Sequence, residues 1–158
     1  MRRAFVATLM VLSLAACGDS STPSNDHVHK EGAPAADASG RSPSPPGAKV
    51  WIIEPKDGAT VKNPITVKFG VDGGMKLVAA GINEPDSGHH HLLIDTKIED
   101  YNAPIPADAQ HIHYGKAQTE GTIELSPGKH TLQDVFADRN HIPHEPPVQS
   151  DVITITVE

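Results

Sequence analysis

Histidine is the residue type whose number and spacing in this sequence suggest chemistry. The 158 residues include ten histidines, and eight of them lie between positions 89 and 144. Three are consecutive in the stretch SGHHHLLID, where they begin an apolar run. A neutral imidazole can bind a transition metal through a ring nitrogen, and it can also exchange protons near neutral pH. Which role applies depends on whether the side chains point to a common place.

The first pair with ligand-like spacing is His89 and His91. Side chains alternate between the two faces of a strand, so these two share one face, whereas His90 shares the other face with Leu92 and Ile94. Residues two apart on a strand have Cα atoms roughly 6.5 to 7 Å apart. Two imidazoles can span that separation and bind one ion, with metal–nitrogen distances of about 2.0 to 2.1 Å.

A second His-x-His pair occurs in the stretch HIHY. Ile112 and Tyr114 form its apolar face and leave His111 and His113 on the opposite face. If the apolar faces of both strands point inward, both histidine pairs point the same way. Two neighbouring pairs would then complete a tetrahedral or tetragonal set of nitrogen ligands.

A third cluster, His141 and His144, lies in the stretch NHIPHEPP. The prolines at 143, 146 and 147 restrict the backbone there, so this loop is predicted to close the site or to add a ligand. His130 and His90 are instead predicted to be packed or hydrogen-bonded, with the N–H of His90 donating to a carbonyl. The predicted metal ligands come from the three clusters: His89, His91, His111, His113, His141 and His144.

The ligand types favour particular metals. Cys17 is the only cysteine, and Met75 is the only methionine after residue 16. Soft Cu(I) sites use Cys or Met, whereas an imidazole-dominated site suits Zn(II) or Cu(II), with Ni(II) and Fe(II) less favoured. Only the neutral imidazole binds, so metal affinity is expected to fall as pH drops through about 6.5.

The elements that must position these histidines are predicted to be β-strands. Short apolar runs rich in β-branched residues are bounded by glycine and proline, and no helical period is sustained. Two proline-rich connections, 96–110 and 139–147, are predicted to be loops. Seven or eight strands in residues 48–158 favour an all-β, immunoglobulin-like sandwich, with a small cupredoxin-like or jelly-roll barrel as the alternative.

The N-terminus predicts the cellular location. Residues 1–16 begin with two arginines followed by a short apolar run, which is typical of a cleaved export signal. The stretch LAAC resembles the bacterial lipobox, in which the cysteine is acylated and becomes the first residue of the mature lipoprotein. This resemblance implies lipidation at Cys17 and a protein anchored in the cell envelope, facing the periplasm or the exterior. An ordinary secretory signal is the alternative.

Residues 17–47 are rich in Ser, Pro, Ala, Gly and Asp, so we expect a disordered tether that joins the lipid anchor to one folded domain, 48–158. His27 and His29, in this tether, are expected to bind ions only loosely. Removal of residues 1–16 takes away two positive charges and changes the net charge from −7 to −9. This balance argues against nucleic acid as a partner. The membrane is the partner that the sequence predicts, and protein partners and oligomeric state stay open.

Four stretches together resemble a known bacterial family: SGHHHLLID, HIHYGKAQTEG, PGKHTLQDVFAD and NHIPHEPPVQSDVITITV. The family is domain of unknown function 4399, usually found in exported proteins or lipoproteins. The resemblance implies that the three histidine clusters belong to one module, and it implies no activity. Asp134 departs from the family pattern, which has an apolar residue there. We expect Asp134 to be exposed, or buried against a partner such as His130.

Three functions are compatible with these patterns. The first is a lipid-anchored module that buffers, senses or delivers a metal ion. The second is a structural or interaction domain whose histidines only form hydrogen bonds. The third is a metalloenzyme with Glu120, Asp95 or Glu145 as its base, although the sequence contains no HExxH motif and no Gly-x-Ser-x-Gly elbow. No catalytic residue is therefore predicted.

Overall fold

The computed structural model describes residues 40–158. The predicted signal, Cys17, the histidines at 27 and 29 and most of the predicted tether lie outside the described residues. Within the described part the chain forms ten strands and no helix, so no helix there is suited to cross a membrane. The strands are β1 Lys49–Glu54, β2 Thr60–Val61, β3 Ile65–Asp72, β4 Lys76–Leu77, β5 Ser87–Ile94, β6 His111–Tyr114, β7 Glu120–Ile123, β8 Gly128–Ala137, β9 Pro143–Gln149 and β10 Ile153–Val157.

The strands form two sheets. The smaller sheet has the order β1-β3-β7. The larger sheet has the order β2-β10-β8-β5-β4, with β6 also paired to β5 and β9 also paired to β8. The all-β prediction is confirmed, and two open sheets make a sandwich rather than the alternative closed barrel. The strand count exceeds the prediction partly because β2 and β4 are only two residues long.

The main core lies between the two sheets. Phe69 and Val67 of the small sheet belong to the same buried cluster as Leu92, Leu132 and Ile155 of the large one. These side chains follow the two-residue alternation of their strands, which places every second residue on the inner face. The inner face of β5 therefore carries His90, Leu92 and Ile94, as the sequence predicts.

β5 is buried on its outer face as well. All eight of its residues are buried, and Leu93 on the outer face packs with Val135 of β8 and Ile105. Ile105 belongs to the long connection 95–110, which folds back over the large sheet. The outer face, which carries His89 and His91, is thus covered by connecting segments instead of facing water.

The apolar stretch MKLVAAGI contains only the two-residue β4. Two local expectations need correction. The connection 139–147, expected to be a loop throughout, becomes β9 from Pro143 onward. This strand pairs with β8 on one side and forms only an isolated bridge, between Pro43 and Glu145, on the other, so its prolines are tolerated. Residues 41–44, assigned to the tether, lie against β9: the Ser44 N–H donates to the Glu145 carbonyl at 3.0 Å.

Candidate metal centre

Four of the six predicted ligands converge on the outer face of the large sheet. His89 and His91 lie on β5, and the β5–β6 register places His113 directly opposite His91. His89 lies opposite Ala137, the last residue of β8, and the connection that follows β8 carries His141. We call His89, His91, His113 and His141 the histidine cluster.

The rings of the histidine cluster are close to one another in every combination. All six distances between ring centroids fall between 4.7 and 5.6 Å. One ligand atom from each residue can be chosen so that all four lie within 4.8 Å of one another. In a tetrahedral site with bonds of about 2.05 Å, neighbouring nitrogens are about 3.3 Å apart. Small side-chain adjustments therefore suffice to enclose one ion.

The closest contacts share one nitrogen. Nε2 of His89 lies 3.1 Å from Nε2 of His91 and also 3.1 Å from Nδ1 of His141. A neutral imidazole nitrogen carries either one hydrogen or one lone pair, so His89 Nε2 can form a good hydrogen bond with only one of these neighbours. A cation among the nitrogens would accept all their lone pairs at once.

Burial lowers the pKa of three histidines of the cluster. His89 and His91 are 0% and 1% exposed, and burial lowers the pKa of His89 to about 4 and that of His91 to about 2, with further lowering from the neighbouring histidines. The pKa of His113 is lowered by the same two causes. Neutral imidazoles are the form that binds a metal, so near pH 7 these ligands need not lose a proton first.

The cluster has a buried and an accessible side. His89 and His91 are buried, whereas His141 is partly exposed and His113 is exposed. The other ring nitrogen of each buried ligand, Nδ1, makes no hydrogen bond to any described residue. Metal-bound histidines commonly donate this second N–H to a carboxylate or carbonyl, which fixes the ring and strengthens binding. The two buried ligands lack that support from described residues.

Two residues that the sequence did not single out shape the cluster. The ring of His113 lies over Gly115, where an added Cβ would come within 2.3 Å of its Nε2. His141 has a positive φ of 65°, and Asp138 caps its loop by accepting the N–H groups of Asn140 and Ile142. The signal in the sequence was the aspartate of the stretch ADRN, because Asp often caps a turn by accepting the backbone N–H two residues later.

Two predicted ligands lie elsewhere. His111 lies two residues before His113 on β6, opposite Leu93 of β5. Its Nδ1 contacts Asp108 at 2.8 Å. His144 is buried with its ring stacked on Phe136 at 6.2 Å, and its Nδ1 lies 3.2 Å from the Ser42 carbonyl. The expectation that these two join the cluster is not met.

The remaining histidines form hydrogen bonds, with partners that differ from some of those expected. His90 is fully buried, but its Nδ1 contacts the Asp134 carboxylate at 2.8 Å rather than a carbonyl. Asp134 is therefore buried against a partner, as one alternative held, although the partner is His90 and not His130. Burial raises the pKa of Asp134, and the contact with His90 opposes this. His130 contacts Asp95 at 2.6 Å.

The three carboxylates considered as catalytic bases are outside the cluster. Asp95 contacts His130, Glu145 pairs with Arg41, and Glu120 lies in strand β7 of the small sheet. Among residues 40–158, the group of side chains able to hold a metal ion consists of the four histidines alone. None of the three carboxylates considered therefore belongs to the histidine cluster.

Comparisons with known proteins give a family and little else. The model of the family described as Domain of unknown function (DUF4399) matches residues 67–158. No curated protein matches the chain. Among solved structures, the endo-beta-1,4-mannanase from Thermotoga petrophila is similar at 13% identity and a TM-score of 0.41, covering 70% of this chain and 20% of that one. This similarity is too low to bear on fold or activity.

Proposed function

The chain belongs to the family Domain of unknown function (DUF4399), and we propose that its folded part binds one Zn(II) or Cu(II) ion through the histidine cluster. The observation that carries the proposal is the shared nitrogen of His89, which lies 3.1 Å from two other imidazole nitrogens. Hydrogen bonding satisfies only one of these contacts, whereas a metal ion satisfies both.

The ligand set favours these two ions. Four imidazole nitrogens without a thiolate or thioether suit the borderline acids Zn(II) and Cu(II) better than Cu(I). Zn(II) takes a tetrahedral set without distortion, because it has no geometric preference of its own. Zn(II) is therefore our first choice and Cu(II) the second.

The asymmetry of the site supports exchange of the ion rather than permanent retention. His113 is exposed, so an incoming ligand can replace it while the buried His89 and His91 still hold the metal. The absence of described hydrogen-bond partners for Nδ1 of His89 and His91 also favours moderate affinity. We therefore propose buffering, sensing or delivery of the ion.

The proposed setting is the bacterial cell envelope. The arginines, apolar run and LAAC of the first 17 residues support export and lipidation of Cys17. Stable anchoring needs two acyl chains or more, which a lipoprotein cysteine carries. Mass spectrometry of the mature N-terminus tests this part separately, and an unmodified Cys17 would refute the anchor.

Metal titration tests the binding itself. The full chain, purified without a histidine tag and treated with chelator, should bind one equivalent of Zn(II) or Cu(II) by calorimetry. The double variant H89A/H91A should lose this binding. H111A and H130A are matched controls, since they remove histidines outside the cluster and should retain one equivalent. No binding by the native chain, or undiminished binding by H89A/H91A, would refute the proposal.

A further inference from the structure

The loop that carries His141 is held in place by residues that precede the family-matching part of the chain. We propose that residues 41–44, which we call the N-terminal clamp, position His141 for metal binding through Asp138. Occupancy of the metal site and docking of the clamp then strengthen each other. This inference rests on the proposed function, because the affinity that it concerns is that of the histidine cluster.

Asp138 organises the loop of residues 138–142. Its Oδ1 accepts the N–H of Asn140 at 2.8 Å and that of Ile142 at 3.1 Å. Two backbone hydrogen bonds close the same loop, from the His141 N–H to the Asp138 carbonyl and from the Asp138 N–H to the Ile142 carbonyl. His141 is thereby held at its positive φ, a conformation that few non-glycine residues adopt without such support.

The clamp fixes Asp138 from the other side. The Ser42 hydroxyl donates to Oδ2 of Asp138 at 2.7 Å, and the Ser42 carbonyl accepts the N–H of Glu145 at 2.9 Å. Asp138 is only 4% exposed, so the carboxylate end of this partly buried hydrogen bond is shielded from water. One serine therefore connects the capping carboxylate to the start of β9.

Arg41 anchors the clamp to the residues that follow the His141 loop. Its side chain is 7% exposed and donates to the carbonyls of Pro143, at 2.9 Å through Nε, and of His144. The same guanidinium pairs with Glu145 and lies 5.5 Å from the ring of Tyr101. Both ends of the loop that presents His141 are thus tied to residues 41–44.

A ligand that binds better to one state of a protein stabilises that state, and the effect is reciprocal. If docking of the clamp orders His141 for the metal, then metal at His141 must favour docking of the clamp by the same factor. The clamp also belongs to residues 17–47, which the sequence predicts to be the tether, so metal occupancy would set how firmly this part of the chain is docked.

The test uses paired variants of the full chain. S42A removes the hydroxyl that contacts Asp138, whereas the control S126A removes an exposed hydroxyl between β7 and β8, outside the clamp and the histidine cluster. Loss of an outer partner of a metal ligand typically weakens affinity by about 10- to 100-fold. We expect Zn(II) affinity to fall about tenfold in S42A, by more in D138A, and not at all in S126A.

D138N separates positioning from charge. The amide retains an oxygen for the two loop N–H groups, and its NH2 can donate to the Ser42 hydroxyl, so the loop should keep its shape. D138N should therefore bind Zn(II) nearly as tightly as the native chain. If D138N weakens binding as much as D138A does, Asp138 acts through its charge and the positioning role is wrong.

A double-variant cycle shows whether these residues act through His141. With His141 replaced by alanine, S42A and D138A should cause no further loss of Zn(II) affinity. Undiminished effects in the H141A background would overturn the inference. If the native chain binds Zn(II) but S42A and D138A bind it equally well, the inference fails while the proposed function stands.

Hydrogen exchange measures the reciprocal effect. Saturating Zn(II) should slow exchange of the amides of Ser44 and Glu145, which form the hydrogen bonds between clamp and β9. This protection should disappear in H141A. Equal exchange with and without Zn(II), in a chain shown to bind it, would refute the coupling.

Discussion

Acidification should destabilise the metal-free domain well before its carboxylates are protonated. His89 and His91 are buried, and this burial lowers their pKa values to about 4 and about 2, from an ordinary value of 6.5. In the unfolded chain both imidazoles are hydrated and take up protons near pH 6.5. Below that pH the unfolded state therefore binds more protons than the folded state, and the free energy of unfolding falls as pH falls.

The size of this loss in the free energy of unfolding follows from the difference in pKa between the folded and the unfolded states. Each histidine that is neutral in the folded state and charged in the unfolded state removes about 1.4 kcal/mol per pH unit. The two together should remove roughly 3 kcal/mol between about pH 7.5 and about pH 5.5. This loss is a large fraction of the roughly 5 to 15 kcal/mol by which a typical domain is stable.

Urea denaturation of the chelator-treated chain at three pH values measures this loss. H89N/H91N should lose less stability over the same interval, since it lacks these two histidines, although His113 and His144, whose pKa values are also lowered by burial, remain. H130A is a control of opposite sign: the Asp95 contact raises the pKa of His130, so His130 adds stability that is complete below pH 6.5 and is lost as pH rises through its folded pKa. H130A should therefore lose more stability on acidification than the native chain. A pH-independent free energy of unfolding in the native chain, or an unchanged slope in H89N/H91N, would refute the reasoning.

Three further predictions concern the site and the core. Zn(II) affinity should fall as pH drops below about 6.5, because protons compete with the metal for the ligands. The fall should be less steep than for exposed histidines, because burial lowers the pKa of three of the four ligands. Equal affinity at about pH 5 and about pH 7.5 by calorimetry would count against histidine ligation. G115A should displace the His113 ring and weaken Zn(II) binding by about tenfold without unfolding the domain. The control G121A displaces Tyr114 instead and should leave Zn(II) affinity unchanged. Weaker binding in G121A but not in G115A would contradict the assigned geometry. D134A should lower the free energy of unfolding by about 3 to 5 kcal/mol, since it leaves His90 buried without its partner; a loss below about 1 kcal/mol in urea denaturation would show that the pair contributes little.

The faces of the strands could be predicted from the sequence, because side-chain alternation is a local property. His89 and His91 share the outer face, and the apolar pattern of HIHY correctly places His113 on the same side. The register could not be predicted in this way. Pairing places His113, not His111, opposite His91, and that choice depends on the whole path of the connection 95–110.

The hydrogen-bond partners of isolated polar residues could not be predicted from the sequence either. His130 lies on the same face of β8 as Asp134, but four residues along a strand span about 13 Å, too far for a hydrogen bond. The cross-strand neighbour His90 reaches Asp134 instead. Likewise, choosing His141 over His144 requires knowing that β9 begins at Pro143, which directs His144 toward Phe136. Local patterns gave candidates, and non-local pairing selected among them.

The three consecutive histidines of β5 are buried in two different ways. On the inner face, His90 has a carboxylate at 2.8 Å, which compensates for its removal from water. On the outer face, His89 and His91 are equally buried, yet among the described residues their rings meet only other imidazoles within hydrogen-bonding distance. Uncharged imidazoles cannot stabilise one another as a carboxylate does, so this arrangement is costly to the metal-free fold. A divalent cation among the nitrogens would lower that cost, because the lone pairs directed at it would then point at a positive charge.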